Sequence, residues 1–144
     1  MKKSILFLAT VFLFVFNSCS TSKNAGTDKA LYETTWELEY ISGPRIAFDG
    51  LFPEKKPEIT FVKADNTING NTSCNGYSTS FALNGKTIKI EAPNAMTMRY
   101  CEGGGEQVFL KTMEKINAFS FDKDSKLNLM IDDVPMMRFK KVNP

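Results

Sequence analysis

The chain contains no histidine. That absence removes imidazole acid–base catalysis, His-based nucleophilic triads and the commonest metal ligand together. Cysteine is scarce, at 3 residues in 144, and tryptophan occurs once. Nowhere do five like charges run together, which argues against a polybasic membrane patch. The longest apolar stretch, Ile5 to Phe16, falls well short of the about 20 residues that a membrane-spanning helix needs.

What remains is the composition of one globular domain, with 42% hydrophobic and 24% charged residues. Basic residues number 18 and acidic residues 16. Two of the basic ones, Lys2 and Lys3, precede the apolar stretch, so the rest of the chain has no net charge. A neutral domain lacks the electrostatic footprint of a nucleic-acid binder.

The N-terminus reads as an export signal. Met1-Lys2-Lys3 is a short basic region, and Ser4 to Phe16 has the length of a signal-peptide apolar core. The segment Phe16-Asn17-Ser18-Cys19 resembles the lipobox of bacterial lipoproteins, in which the Cys is lipidated and becomes the first residue. Phe16 and Asn17 depart from the favoured pattern. The competing reading is an ordinary signal-peptidase site with Cys19 an incidental thiol. The expected organisation is a lipoprotein signal over 1–18, a flexible Ser/Thr/Lys/Asn/Gly tether over 19–30, and one folded domain over 31–144.

Period-two alternation dominates that domain. Trp36, Leu38 and Tyr40 share one face of a predicted strand, and Pro57 to Val62, Thr67 to Asn71 and the Tyr77-Thr79-Phe81-Leu83 series follow. Asn84-Gly85 reads as a two-residue hairpin turn leading to Lys86–Glu91. Arg45 to Lys56 reads as an apolar-rich loop that covers the barrel end or, as the alternative, meets a partner, with a candidate strand at Ile46–Phe48. One helix is expected after Gly103-Gly104-Gly105, because Phe109, Thr112, Met113 and Ile116 fall on one helical face, with Asn117 as its cap. Strands over 118–122, 127–132 and 135–141 complete the chain. The fold class is therefore mostly β (α+β), a small antiparallel barrel or strongly curved sheet with one packed helix.

The order Cys74-Asn75, Gly85, Ile88 and Ile90, Thr97, then Cys101 is similar to the signature of the META domain (HslJ-like) family. Trp36 near the start, the helix after Cys101, and Leu127-Asn128-Leu129 with Met137-Arg138-Phe139 extend the resemblance across about residues 31–141. Ser73 stands where a Gly often precedes the Cys, and Thr79, Phe81 and Arg99 also depart from the usual residues. The resemblance implies a small barrel-like domain with a helix, often on envelope lipoproteins and linked to envelope stress, antibiotic tolerance or secretion. It implies no known catalytic activity.

With Cys19 lipidated, Cys74 and Cys101 remain as an even pair in an oxidising compartment, which favours one structural bridge. Two buried free thiols and a redox-active pair are the alternatives. No metal site is expected, since the Cys spacing matches no zinc motif and the acids of Asp122–Lys126 have no EF-hand spacing. Three glycines before a helix lack the Gly-Lys-Ser/Thr of a phosphate loop and read as a flexible approach to the helix. Asn71-Thr72-Ser73 is a formal glycosylation sequon, read as chance. Met96, Met98, Met130, Met136 and Met137 read mainly as gap-fillers of a small core. Glu37 and Glu39 share the exposed face of one strand, where solvated charges are the default and a hydrolase built on paired carboxylates is the alternative.

The expectation is a non-enzymatic, monomeric envelope domain without cofactor. Lipidated Cys19 anchors it to a bacterial membrane, on the periplasmic side of the outer membrane. It binds an envelope protein or component under stress. The alternative is a lipocalin-like carrier of a small apolar ligand, since small barrels can hold one in the mouth.

Overall fold

The computed structural model describes residues 27–32 and 34–142. The expectations for the signal, Cys19 and most of the tether lie outside the described residues. The described residues form nine strands and three helices: α1 (Thr27–Tyr32), β1 (Thr35–Ile41), α2 (Phe48–Leu51), β2 (Glu58–Val62), β3 (Thr67–Asn71), β4 (Gly76–Asn84), β5 (Thr87–Ile90), β6 (Ala95–Met96), α3 (Gly105–Met113), β7 (Ala118–Phe121), β8 (Leu127–Ile131) and β9 (Val134–Val142). Helix α1 straddles the boundary placed between tether and domain.

All pairings are antiparallel, and they close a ring. Strand β1 pairs with β2, β2 with β3, β3 with β4 and β4 with β5. Strand β5 touches β7 through a single register pair, Thr87 with Ala118. Strands β7, β8, β9 and back to β1 finish the circle. Closure removes the open edges that an antiparallel sheet otherwise exposes. Strand β6 stands apart from the ring and pairs with the first part of β4 alone.

Alternation puts one side chain in two inside. Trp36, Phe61, Phe109, Phe119 and Phe139, each at most 1% exposed, fill the interior together with Leu38, Ile59, Ile68, Leu127 and Leu129. Burying one such aromatic contributes on the order of 2–3 kcal/mol by transfer alone. Leu31 of α1 is fully buried, and its carbonyl accepts a hydrogen bond from the Trp36 indole at 3.2 Å. Gly70 sits mid-strand because β2 runs too close for a side chain: a Cβ there would lie 2.1 Å from the Glu58 carbonyl oxygen.

The structure corrects several sequence expectations. Tyr40 does not share the inner face with Trp36 and Leu38. The register against β9 slips between Leu38 and Tyr40, a bulge that turns Tyr40 outward at 45% exposure and brings Ile41 in. The hairpin turn is one residue later than Asn84-Gly85. Asn84 already pairs with Thr87, so Gly85 and Lys86 form the loop. Only Gly85 takes a positive φ, at 60°, which places glycine first as a type II′ turn requires. Residues 48–51 are helical, where a strand over 46–48 was expected. Asn117 does not cap α3, which ends at Met113. Its side chain exchanges two hydrogen bonds with Asp132, tying the start of β7 to the β8–β9 turn.

A side-chain-built corner beside the disulfide

Cys74 and Cys101 are joined, with Cα atoms 6.0 Å apart. The bridge ties the β3–β4 connection to the chain entering α3. Around it the backbone is irregular, and side chains take over the work that strand ladders do elsewhere.

Asn75 is the centre of that arrangement and is 1% exposed. Its amide oxygen accepts from the Thr97 hydroxyl at 2.9 Å and from the Arg99 backbone N–H at 2.7 Å. Its amide nitrogen donates to the Arg99 carbonyl at 3.0 Å and to both carboxylate oxygens of Glu106 at 3.0 and 3.2 Å. One residue thus holds three segments: its own turn, the 97–99 stretch and the first turn of α3. Thr72 is fully buried beside it, and its hydroxyl donates to Glu106 Oε2. Thr97 also accepts from the Gly76 N–H at 3.1 Å. A buried amide with every group paired fixes geometry, because each broken bond strands a desolvated partner.

Glycines complete the corner for two separate reasons. Gly103 and Gly104 have φ of 96° and 69°, in the left-handed region that disfavours a side chain. Gly105 opens α3 buried against α2, where a Cβ would lie 2.2 Å from the Leu51 carbonyl oxygen. The triple glycine is therefore a shaped approach to the helix. Glu106 follows in the first turn, where a carboxylate is favoured by the helix dipole. Ser73 carries a φ of 81° and is not glycine. That left-handed angle is one that glycine adopts without strain.

The chain between β5 and the bridge is held by Thr79. Its hydroxyl donates to the Glu91 carbonyl at 2.6 Å and lies 3.2 Å from that of Ala92. Beyond this anchor, Met98 and Tyr100 are each 89% exposed, and Met96 is also exposed. The methionines therefore divide: Met137 is a core residue, whereas Met96 and Met98 are not. A groove of about 510 Å³ opens beside the bridge. Its walls come from Leu51 at the end of α2 and Glu54 beyond it, from Ser73 and Cys74, and from the stretch running from Arg99 into α3. Within the 45–56 loop, Leu51 and Phe52 are buried in the core and Ile46 is left exposed.

Of the residues singled out in the sequence, Cys74, Asn75, Thr97 and Cys101 meet in this one place. Gly85 lies away from it, in the β4–β5 turn. Thr72 and Glu106 belong to the site and were missed. Thr72 was visible only as part of a sequon, and Glu106 only by its place directly after the triple glycine. Glu37 and Glu39 are on the opposite wall, paired with Lys140 at 3.0 Å and Lys126 at 2.8 Å. The hydrogen bond and charge of Lys126 hold the Glu39 carboxyl below its usual pKa. Tyr77 of β4 packs edge-on against Phe109 of α3, and burial raises its phenol above the ordinary range, so it stays protonated. Asp122 accepts from the backbone N–H of Asp124 and Lys126, which is turn chemistry. Among the described residues, no three Cys, Asp or Glu gather closely enough to hold a metal ion.

The profile of the META domain matches residues 29–143. The chain belongs to the META domain family. No curated protein matches it. Among solved structures, the META chain is similar to the NMR structure of a protein from Burkholderia xenovorans, at 20% identity and a TM-score of 0.59, over 81% of this chain and 86% of that one. It is also similar to a DUF4847 family protein from Bacteroides vulgatus, at 14% identity and a TM-score of 0.53, over 81% of this chain and 99% of the other. At these identities the likeness is one of fold.

Proposed function

We propose that this META protein is a non-enzymatic, monomeric binding domain of the cell envelope, held to a membrane by lipidated Cys19. It recognises an envelope component or protein through the groove beside the Cys74–Cys101 bridge. The observation that carries this reading is the construction of the groove. Its conserving elements are a disulfide, a saturated amide and shaped glycines, all of which hold form. The pair most like a nucleophile and base, Thr72 and Glu106, is unsuited to attack because Thr72 is fully buried. The cysteines are joined to each other, so neither presents a thiolate. The aromatic side chains filling the barrel favour the surface groove over an interior ligand cavity.

An oxidising compartment suits the bridge, and the basic and apolar leader before Cys19 suits export to the periplasmic side of the outer membrane. More than one acyl chain on Cys19 is what stable anchoring requires. The test is the intact mass of the protein extracted from its own membranes, followed by photo-crosslinking from position 100. The expected species starts at a lipid-modified Cys19, lacks two hydrogens relative to the dithiol, and crosslinks to an envelope protein or component. Recovery as an unmodified soluble chain would overturn the anchoring. A non-covalent mass of a few hundred daltons retained on the barrel would replace this reading with that of a small-ligand carrier.

A further inference from the structure

The stretch from Met96 to Tyr100 continues from β6, whose pairing with β4 ends at Met96. Its odd residues face β4 and the clamp: Thr97 N–H donates to the Gly76 carbonyl at 3.0 Å, and Arg99 uses both its N–H and its carbonyl on Asn75. Its even residues face away. Among the described residues, the backbone N–H and carbonyl of Met98 and of Tyr100 have no partner, and both side chains are almost wholly exposed. Each ring strand has a ladder neighbour on both sides over part of its length, whereas this stretch has one on the β4 side alone. Protective devices of exposed edges, such as a lysine or a proline within the run, are absent from 96–100; the one charge is Arg99. The edge is also rigid, pinned by Asn75 at one end and by the bridge at Cys101.

Charge tells what covers it. Tyr100 leads directly into the groove, where Glu54 and Glu102 are exposed and form no ion pair among the described residues. A second copy of this chain would bring the same two acids to the interface, against the single base Arg99 of its own run. We infer that the 96–100 edge binds an extended segment of a partner protein, added as a strand, whose apolar side chains alternate with basic ones. The partner's backbone pairs with Met98 and Tyr100, its apolar side chains cover theirs, and a lysine or arginine reaches Glu54 and Glu102. This is strand addition, in which main-chain bonds give affinity and alternate side chains give choice. Five residues extended at strand spacing span about 17 Å, enough for a short linear segment. The inference rests on the reading of this corner as a binding site and names its occupant.

The test titrates the extracted full protein, ¹⁵N-labelled and in one detergent throughout, with an acetylated hexapeptide alternating Val and Lys. A Val/Asp hexapeptide and the Val/Lys peptide N-methylated at its valines serve as comparisons. The expected result is a set of amide shifts confined to 96–102, with exchange protection gained at Met98 and Tyr100. Met98→Pro, which removes an unpaired N–H, weakens binding at least tenfold. N-methylation of the peptide does the same from the other side and needs no change in the protein. The double substitution Glu54→Lys with Glu102→Lys switches the preference to the Val/Asp peptide. Equal affinity for native and Met98→Pro protein, equal affinity for the N-methylated peptide, or shifts mapping outside 96–102 each overturn the edge. Equal binding of the Val/Lys and Val/Asp peptides overturns the basic partner. A concentration-dependent dimer that Met98→Pro abolishes makes the occupant a second copy. None of these outcomes touches the crosslinking and mass test of the broader reading, which stands or falls separately.

Discussion

The wall formed by β1, β9 and β8 and the corner around the bridge are built on opposite principles. In the wall, backbone ladders run for six register pairs between β1 and β9, and side chains alternate between an aromatic interior and an ion-paired exterior. In the corner, β6 is two residues long, and the order comes from Asn75, Thr72, Thr97, Glu106 and a disulfide. A wall made by repetition tolerates the loss of any one exterior contact. A corner made by one amide does not, because all three segments are fastened to the same residue.

Perturbation separates the two. The largest effect belongs to the wall's interior: Trp36→Ala is expected to cost about 3–5 kcal/mol, as a fully buried aromatic leaves a cavity. Urea unfolding measures it, and a cost under about 1 kcal/mol would mean the barrel collapses around the loss. Next is the bridge. Replacing Cys74 and Cys101 together with serine removes a loop constraint spanning 27 positions and is expected to cost about 3–4 kcal/mol in the chain-entropy account. Trp36 is the only tryptophan, so its native emission reports the wall alone and should not change when the corner is unbridged. A shifted native spectrum would show that the two regions are not independent.

Asn75→Ala follows, at about 2–3 kcal/mol, since Glu106 and the Arg99 backbone lose buried partners. Hydrogen exchange should quicken at 97–106 and stay slow in β1 and β9. Uniform acceleration would make the corner part of one cooperative unit. The smallest effects are two. Ser73→Gly relieves a left-handed angle and is expected to stabilise by less than about 1 kcal/mol, strain relief being partly offset by glycine's freedom when unfolded. Glu39→Gln is expected to cost under about 1 kcal/mol near neutral pH, as for a partly exposed ion pair. Because folding lowers the Glu39 pKa, its contribution is present above the ordinary carboxylate pKa and fades as pH falls through the folded value. A difference between native and variant that persisted well below that range would assign the cost to packing instead.

Much of the wall was legible because a strand repeats every two residues. Leu127 and Leu129, Met137 and Phe139, and Ile88 and Ile90 announce their inward faces without any knowledge of their neighbours. The turn at Gly85 was visible to within one residue, since only glycine accepts its angle cheaply. Tyr40 failed because a bulge is a property of the pairing with β9 and leaves no mark in the alternation of β1. The short helix at Phe48–Leu51 failed because one turn has no period to read.

In the corner, the sequence showed the members and not the arrangement. Cys74, Asn75, Thr97 and Cys101 stood out as a motif, and the parity of the cysteines suggested a bridge. Thr72 and Glu106 gave no comparable signal, being 34 positions apart and ordinary in type. Composition and period by themselves determined a single β-rich domain, most of its inward side chains, and a basic then apolar run of residues before Cys19, because these depend on residue type and spacing along the chain. Only the tertiary structure decided that the ring closes through β5 and β7, that Asn75 is buried and saturated, and that Met98 and Tyr100 are left on an open edge. Those facts depend on which distant segments approach one another, and a hydrogen bond between residues far apart in sequence has no local spacing to betray it.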